Sequence, residues 1–174
     1  MVKTFGLKAE FTPMKQVGNS YRIMWGYTPI VNDIWDEEGN KVGEEESTLA
    51  TWNIERFNHK PSMTEIKNLI LGSINKEIDE RILSGFVWND MQVWLSGENQ
   101  FNYKAAYDLA IQTNGANLPI KFKFGTNEEP VYYTFESVED LANFYTSAMN
   151  FINTTLNDGW VKKDAINWEK YIIE

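Results

Sequence analysis

The chain has 174 residues, with 16 Lys+Arg against 25 Asp+Glu for a net charge of −9, one His and no Cys. That length holds one globular domain or two small ones, and a chain of this size buries about 70% of its unfolded surface without needing disulfides. The missing cysteines exclude thiol nucleophiles, disulfide frameworks and Cys-based metal sites, while the acidic balance argues against nucleic acid and anionic membrane surfaces as main ligands. The longest apolar runs are too short to span a membrane, and Met1-Val2-Lys3-Thr4-Phe5 opens no signal-peptide stretch, so neither segment is expected. The 7 Trp, 8 Tyr and 10 Phe are the unusual quantity; such side chains dominate both cores and interfaces.

The order of patterns predicts an α+β chain. An antiparallel β subdomain at 1–60 comes first. A subdomain at 61–174 follows, in which helices at 63–83, 97–112 and 138–156 are interleaved with two β-hairpins. Residues 1–12 supply one strand, closed off by a turn between Pro13 and Gly18. Tyr21, Ile23, Trp25 and Tyr27 alternate with Arg22, Met24, Gly26 and Thr28, the period of a half-buried strand with an aromatic face. Ala50–Ile54 alternates likewise. Between them the acid-rich stretch from Asp36 through Gly39 and Gly43 to Glu46 reads as a solvated, mobile turn.

Ser62 with Glu65 three residues on is a capping box, and Ile66, Leu69, Ile70, Ile74, Ile78 and Ile82 form a stripe behind it. Ser84-Gly85 is the expected stop, with Gly85 in the left-handed position past the helix end. Phe86–Leu95 predicts a hairpin with Asn89-Asp90 at its tip. Trp88 then pairs with Met91, and Phe86 with Val93. That register turns Phe86, Trp88, Met91, Val93 and Leu95 to one face and Val87, Gln92 and Trp94 to the other. Ser96 begins the second helix and Asn114-Gly115 ends it. Leu118–Phe124 and Val131–Phe135 make the second hairpin. Ser137 with Asp140 starts the last helix, whose face carries Val138, Leu141, Tyr145, Ala148, Met149, Ile152 and Leu156. Asn157-Asp158-Gly159 ends it, and a short amphipathic segment with Trp160, Ile166, Trp168 and Tyr171 closes the chain.

Few residues suggest chemistry. His59 lies before a helix with no G-x-S-x-G motif and no apparent partner, so it reads as a loop histidine rather than a general base. One His and no Cys leave no transition-metal set. Aligning Gly39 with the glycine of a calcium loop puts Ile34 at the first ligand position, so a solvated turn is the better reading. Glu98, Glu128 and Glu136 adjoin aromatics, as most acids here do, and single out no glycosidase pair. There is no phosphate-binding glycine motif. No catalytic residue, cofactor or metal is therefore expected. Trp25 and Trp88 fit core positions, whereas Trp35, Trp94 and Trp168 are the candidates for an interaction surface.

Three stretches carry a resemblance: ILSGFVWNDMQVWLSGENQFNYKAAYDLA at 82–110, LPIKFKFG at 118–125, and YYTFESVEDLANFYTSAMNFINTTLNDGWVKKDAI at 132–166. In order and spacing they resemble an uncharacterised domain family of bacteriophages and prophages, usually encoded among tail and tail-fibre genes. The resemblance covers roughly 60–170 and leaves residues 1–57 outside it. It implies a non-enzymatic, tail-associated structural or assembly protein acting by protein–protein contact. The implied partners are other phage structural or assembly proteins, or further copies of the chain. The implied location is the bacterial cytoplasm during assembly, or the virion. The alternative function is a module that binds host-surface carbohydrate, with Trp94 or Trp35 as stacking platforms.

Overall fold

A computed structural model describes residues 2–126 and 128–172. The chain is α+β, and its contacts divide it into two compact units: Met1–Gly72 with Ile166–Glu174, and Ser73–Ala165. The division falls inside a helix, after Gly72, and not at the 60/61 boundary that the sequence pattern suggests.

The first unit is built on a four-stranded antiparallel sheet in the order β1-β4-β3-β2. Its strands are β1 (Val2–Leu7), β2 (Met14–Val17), β3 (Ser20–Trp35) and β4 (Lys41–Phe57). The expected aromatic face of β3 breaks at the register shift around Gly26, beyond which Tyr27 is exposed with Phe11 beside it. Ile23, Met24 and Trp25 are buried in succession, so this stretch is covered on both faces rather than one. Met24 packs with Ala50, Trp52, Ile54 and Phe11. The Tyr171 hydroxyl donates to the Met24 carbonyl at 3.1 Å, tying the C-terminal turn Trp168–Tyr171 to the sheet.

Helix α1 (Met63–Ser84) begins as the sequence predicts. The Glu65 N–H donates to Ser62 Oγ at 3.2 Å, and the Ser62 N–H donates to Glu65 Oε2 at 2.8 Å, which satisfies two otherwise orphaned donors. The Ser62 backbone N–H, then its hydroxyl, then His59 hold the Glu65 carboxyl down at about 2. A carboxyl depressed in the fold contributes stability above its unfolded pKa of about 4.5, and loses it as pH falls from there towards about 2. Glu65→Gln should therefore show a smaller drop in thermal midpoint over that window than the parent chain. Identical pH profiles for the two would remove the capping carboxylate from the account.

Gly85 does follow the helix, but not in the left-handed conformation expected of it; it is absent from the positive-φ glycines. Its requirement is steric instead. A Cβ there would stand 2.6 Å from the Arg81 carbonyl oxygen, to which the Gly85 N–H donates at 2.8 Å.

The second unit closes around rings. The hairpin of β5 (Phe86–Trp88) and β6 (Met91–Val93) has the predicted register, with Asn89 and Asp90 both at positive φ as a tight two-residue turn requires. Val93 and Leu95 are buried, while Val87 and Trp94 are exposed. Helix α2 (Gly97–Gln112) is capped by Ser96, whose hydroxyl accepts from the Asn99 N–H. Strands β7 (Ile120–Gly125) and β8 (Pro130–Phe135) form the other hairpin. One continuous cluster joins Phe86, Val93, Leu95, Tyr103, Ala106, Ala110, Phe124, Phe135, Leu141, Phe144, Ala148 and Ile152.

Helix α3 corrects the sequence reading. It runs Val138–Asp164, straight through Asn157-Asp158-Gly159, so Trp160 sits on the helix and not on a closing segment. Its buried positions are Leu141, Phe144, Ala148, Ile152, Thr155 and Gly159, a regular three–four spacing. Ser137 caps it by accepting from the Asp140 N–H at 3.1 Å. The Asp140 carboxylate accepts the Tyr133 hydroxyl instead of completing a box.

Candidate functional site

The acid-rich stretch expected to be a mobile turn is mostly strand. Only Asp36–Asn40 turns; Lys41–Glu46 pairs with Val31–Trp35 in an antiparallel ladder with one register shift near the tip. Strand β1 pairs with β4 only over Leu49–Ile54, and β2 with β3 only over Ser20–Ile23. Beyond those limits β3 and β4 continue alone, as a two-stranded arm at residues 31–46. Register shifts at Trp25/Thr28 and Pro29/Val31 separate arm from sheet, and Gly26 supplies the positive φ of the first.

Within the arm, Asp33 faces Glu44, a like-charge pair that would weaken a ladder. Lys41 resolves it by reaching Asp33 Oδ1 at 2.8 Å and Glu44 Oε1 at 2.6 Å. These two carboxylates, Asp33 first, raise the Lys41 pKa. At the tip, Asp36 Oδ1 accepts the N–H groups of Asn40 at 2.8 Å and Glu38 at 2.9 Å. The Asn40 N–H is the largest cause of a carboxyl pKa below its ordinary value. An aspartate binding backbone two and four residues on is what makes so short a turn definite. Lys8 holds Glu46 at the arm's base.

The arm nevertheless leaves apolar side chains in water. Trp35 is 59% exposed and Val42 61%, and Val31 and Ile34 are exposed beside them. Val42 is the residue left without a ladder partner where the register shifts between Ile34/Gly43 and Trp35/Lys41, so it stands out of the strand. Seven acids against Lys41 give residues 31–46 a net charge of −6, two-thirds of the chain's −9.

Of the three tryptophans singled out from sequence, Trp35 lies on this arm. Trp94 is in the second unit, 40% exposed, its indole N–H donating to the Gly125 carbonyl at 3.2 Å. Trp168 is half-buried, with Lys67 Nζ 5.5 Å from its ring centroid and Tyr171 beside it. Among the described residues neither Trp35 nor Trp94 has an aromatic neighbour, so neither forms a paired-ring platform. The apolar members Val31, Ile34 and Val42 were missed from sequence, since they keep no strand period and lie scattered among acids.

His59 Nε2 lies 3.0 Å from Glu65 Oε1, a contact of the α1 cap. Glu98, Glu128 and Glu136 are exposed. Among the described residues no group of three or more His, Cys, Asp or Glu could hold a metal ion, and no helix is long and apolar enough to cross a membrane. In the second unit, α1 and α3 enclose a cleft of about 10 Å³, room for one water. Thr155 Oγ1 lines it, buried and without a hydrogen-bond partner among the described residues.

No protein-family model, no curated protein and no solved structure matches this chain.

Proposed function

We propose that the chain is a non-enzymatic structural or assembly protein, of the tail-associated phage kind that residues 82–166 resemble, and that it works by protein–protein contact through the arm at residues 31–46. The single observation carrying this reading is a defined arm that keeps Val31, Ile34, Trp35 and Val42 in solvent. A two-stranded ribbon is marginally stable alone in water, and free strand edges with apolar side chains invite association. Here Lys41, the Asp36 turn and the bulges hold the ribbon in shape, while its acids keep it soluble. An exposed tryptophan among apolar neighbours with a charged rim is the composition of an interface hot spot. On this reading the protein acts in the bacterial cytoplasm during assembly, or in the virion.

The test is a chain in which residues 33–44 are replaced by Asn-Gly, a two-residue hairpin turn. Its thermal midpoint should lie within about 2 °C of the parent, since no buried side chain is removed. In affinity purification from the cells that produce it, a protein bound stoichiometrically by the parent should be lost by the shortened chain. A bound set identical for both would overturn the arm as the docking element.

A further inference from the structure

The sheet of the first unit carries a charge pattern opposite to that of its arm. Lys15 of β2 is the ladder partner of Arg22 of β3, and Arg22 is the partner of Arg56 of β4. Three basic side chains therefore stand in one row on one face, about 5 Å apart at Cβ. Like charges so placed weaken a sheet unless something negative lies against them. Among the described residues none of the three makes an ion pair. Lys15 and Arg56 are exposed, and Arg22 Nε is buried without a hydrogen-bond partner among the described residues. Outside the arm the first unit has eight Lys and Arg against five Asp and Glu, a net +3 beside the arm's −6.

The arm cannot satisfy this row in its own chain. It continues the two strands that hold Arg22 and Arg56, so it leads away from the row and would have to break its ladder to return. At about 3.3 Å per residue it extends roughly 20 Å with its turn, against roughly 10 Å across the three strands of the row. Glu37, Glu38 and Glu45 are exposed and without ion-pair partners among the described residues. We infer that the row Lys15–Arg22–Arg56 of one copy receives the acidic arm of a second copy, with Glu37, Glu38 and Glu45 as counter-charges. This rests on the reading of the arm as a docking element and names its occupant. Reciprocal exchange of arms closes a dimer, and one-way docking builds a row of copies.

Light-scattering mass over a concentration series tests it. The parent chain should exceed its 20.2 kDa monomer mass at about 0.1 M salt and fall towards it at about 1 M, where the Debye length shrinks from about 10 Å to about 3 Å. Two charge-reversed chains, Glu37→Lys with Glu38→Lys and Lys15→Glu with Arg56→Glu, should each be monomeric alone and associate when mixed. All four positions are exposed, so both should fold, and circular dichroism checks that they do. A parent that stays monomeric at about 0.1 M salt, or reversed chains that associate alone as the parent does, overturns the inference. If the parent is monomeric yet still loses its stoichiometric partner when the arm is shortened, the arm remains a docking element and only the second copy is excluded. If no arm-dependent partner exists either, both readings fail together.

Discussion

Phe144→Ala should cost about 3–5 kcal/mol, the range for truncating a fully buried phenylalanine, and lower the thermal midpoint by about 10 °C or more. Phe144 is 0% exposed. Its ring centroid lies between 5.0 and 6.4 Å from those of Phe86, Trp88, Tyr103, Phe122, Phe124 and Phe135. Those rings come from the first hairpin, α2 and the second hairpin, so one side chain of α3 joins every other element of that cluster. The surrounding rings are themselves rigid and locked by one another, so the space left by truncation cannot collapse, and the cavity cost adds to the lost transfer energy. Phe144→Leu should retain about half of the loss. Denaturant unfolding, with near-ultraviolet circular dichroism to follow the rings, reads both. A loss under about 1 kcal/mol for the alanine chain would mean that the cluster repacks, and that Phe144 is not its centre.

The sequence pattern of α3 hid this residue. The apolar pattern places Leu141, Ala148 and Ile152 correctly on the buried line, but fills the rest of the face with Val138, Tyr145, Met149 and Leu156, which only flank the cluster, and passes over Phe144. The line itself passes through Thr155 and Gly159, which hydropathy does not mark. By contrast, the capping residues Ser62, Glu65 and Ser96, and the hairpin Phe86–Leu95, were legible because local chemistry fixes them: a hydroxyl accepts a nearby N–H, and a two-residue turn fixes a register. Trp94 came out exposed for the same local reason. The arm was legible only as composition. Seven acids in sixteen residues look like a solvated loop, and nothing local announces that Lys41 will bridge Asp33 and Glu44 across a ladder. The basic row was equally hidden, since Lys15, Arg22 and Arg56 are far apart in the chain and meet only through strand register.

Gly159 shows the same limit from the other side. Following Asn157-Asp158 it looks like a helix end, yet it lies buried inside α3 because nothing larger fits. A Cβ at Gly159 would stand 2.1 Å from Ile78 Cδ1 and 2.7 Å from its Cγ1. Arg81 with Asp158 at 2.9 Å, Lys162 with Glu77 at 2.5 Å and Lys163 with Asn75 at 2.6 Å fasten the two helices on either side of that contact. They are exposed pairs and of small energy, but they fasten the register that sets Ile78 against Gly159. A β-branched side chain in a helix holds largely to one rotamer, so Ile78 cannot swing clear without strain. Gly159→Leu should therefore cost about 3 kcal/mol or more by overpacking. Gly159→Ala sets a helix-propensity gain of about 1 kcal/mol against the clash, and a net loss of about 1 kcal/mol is expected. Ile78→Ala removes the obstructing atoms, so in that background Gly159→Ala should turn stabilising, with a coupling energy above about 1 kcal/mol in the double-mutant cycle. If Gly159→Ala stabilises the parent chain by the full propensity gain, the glycine is not what lets α1 and α3 approach.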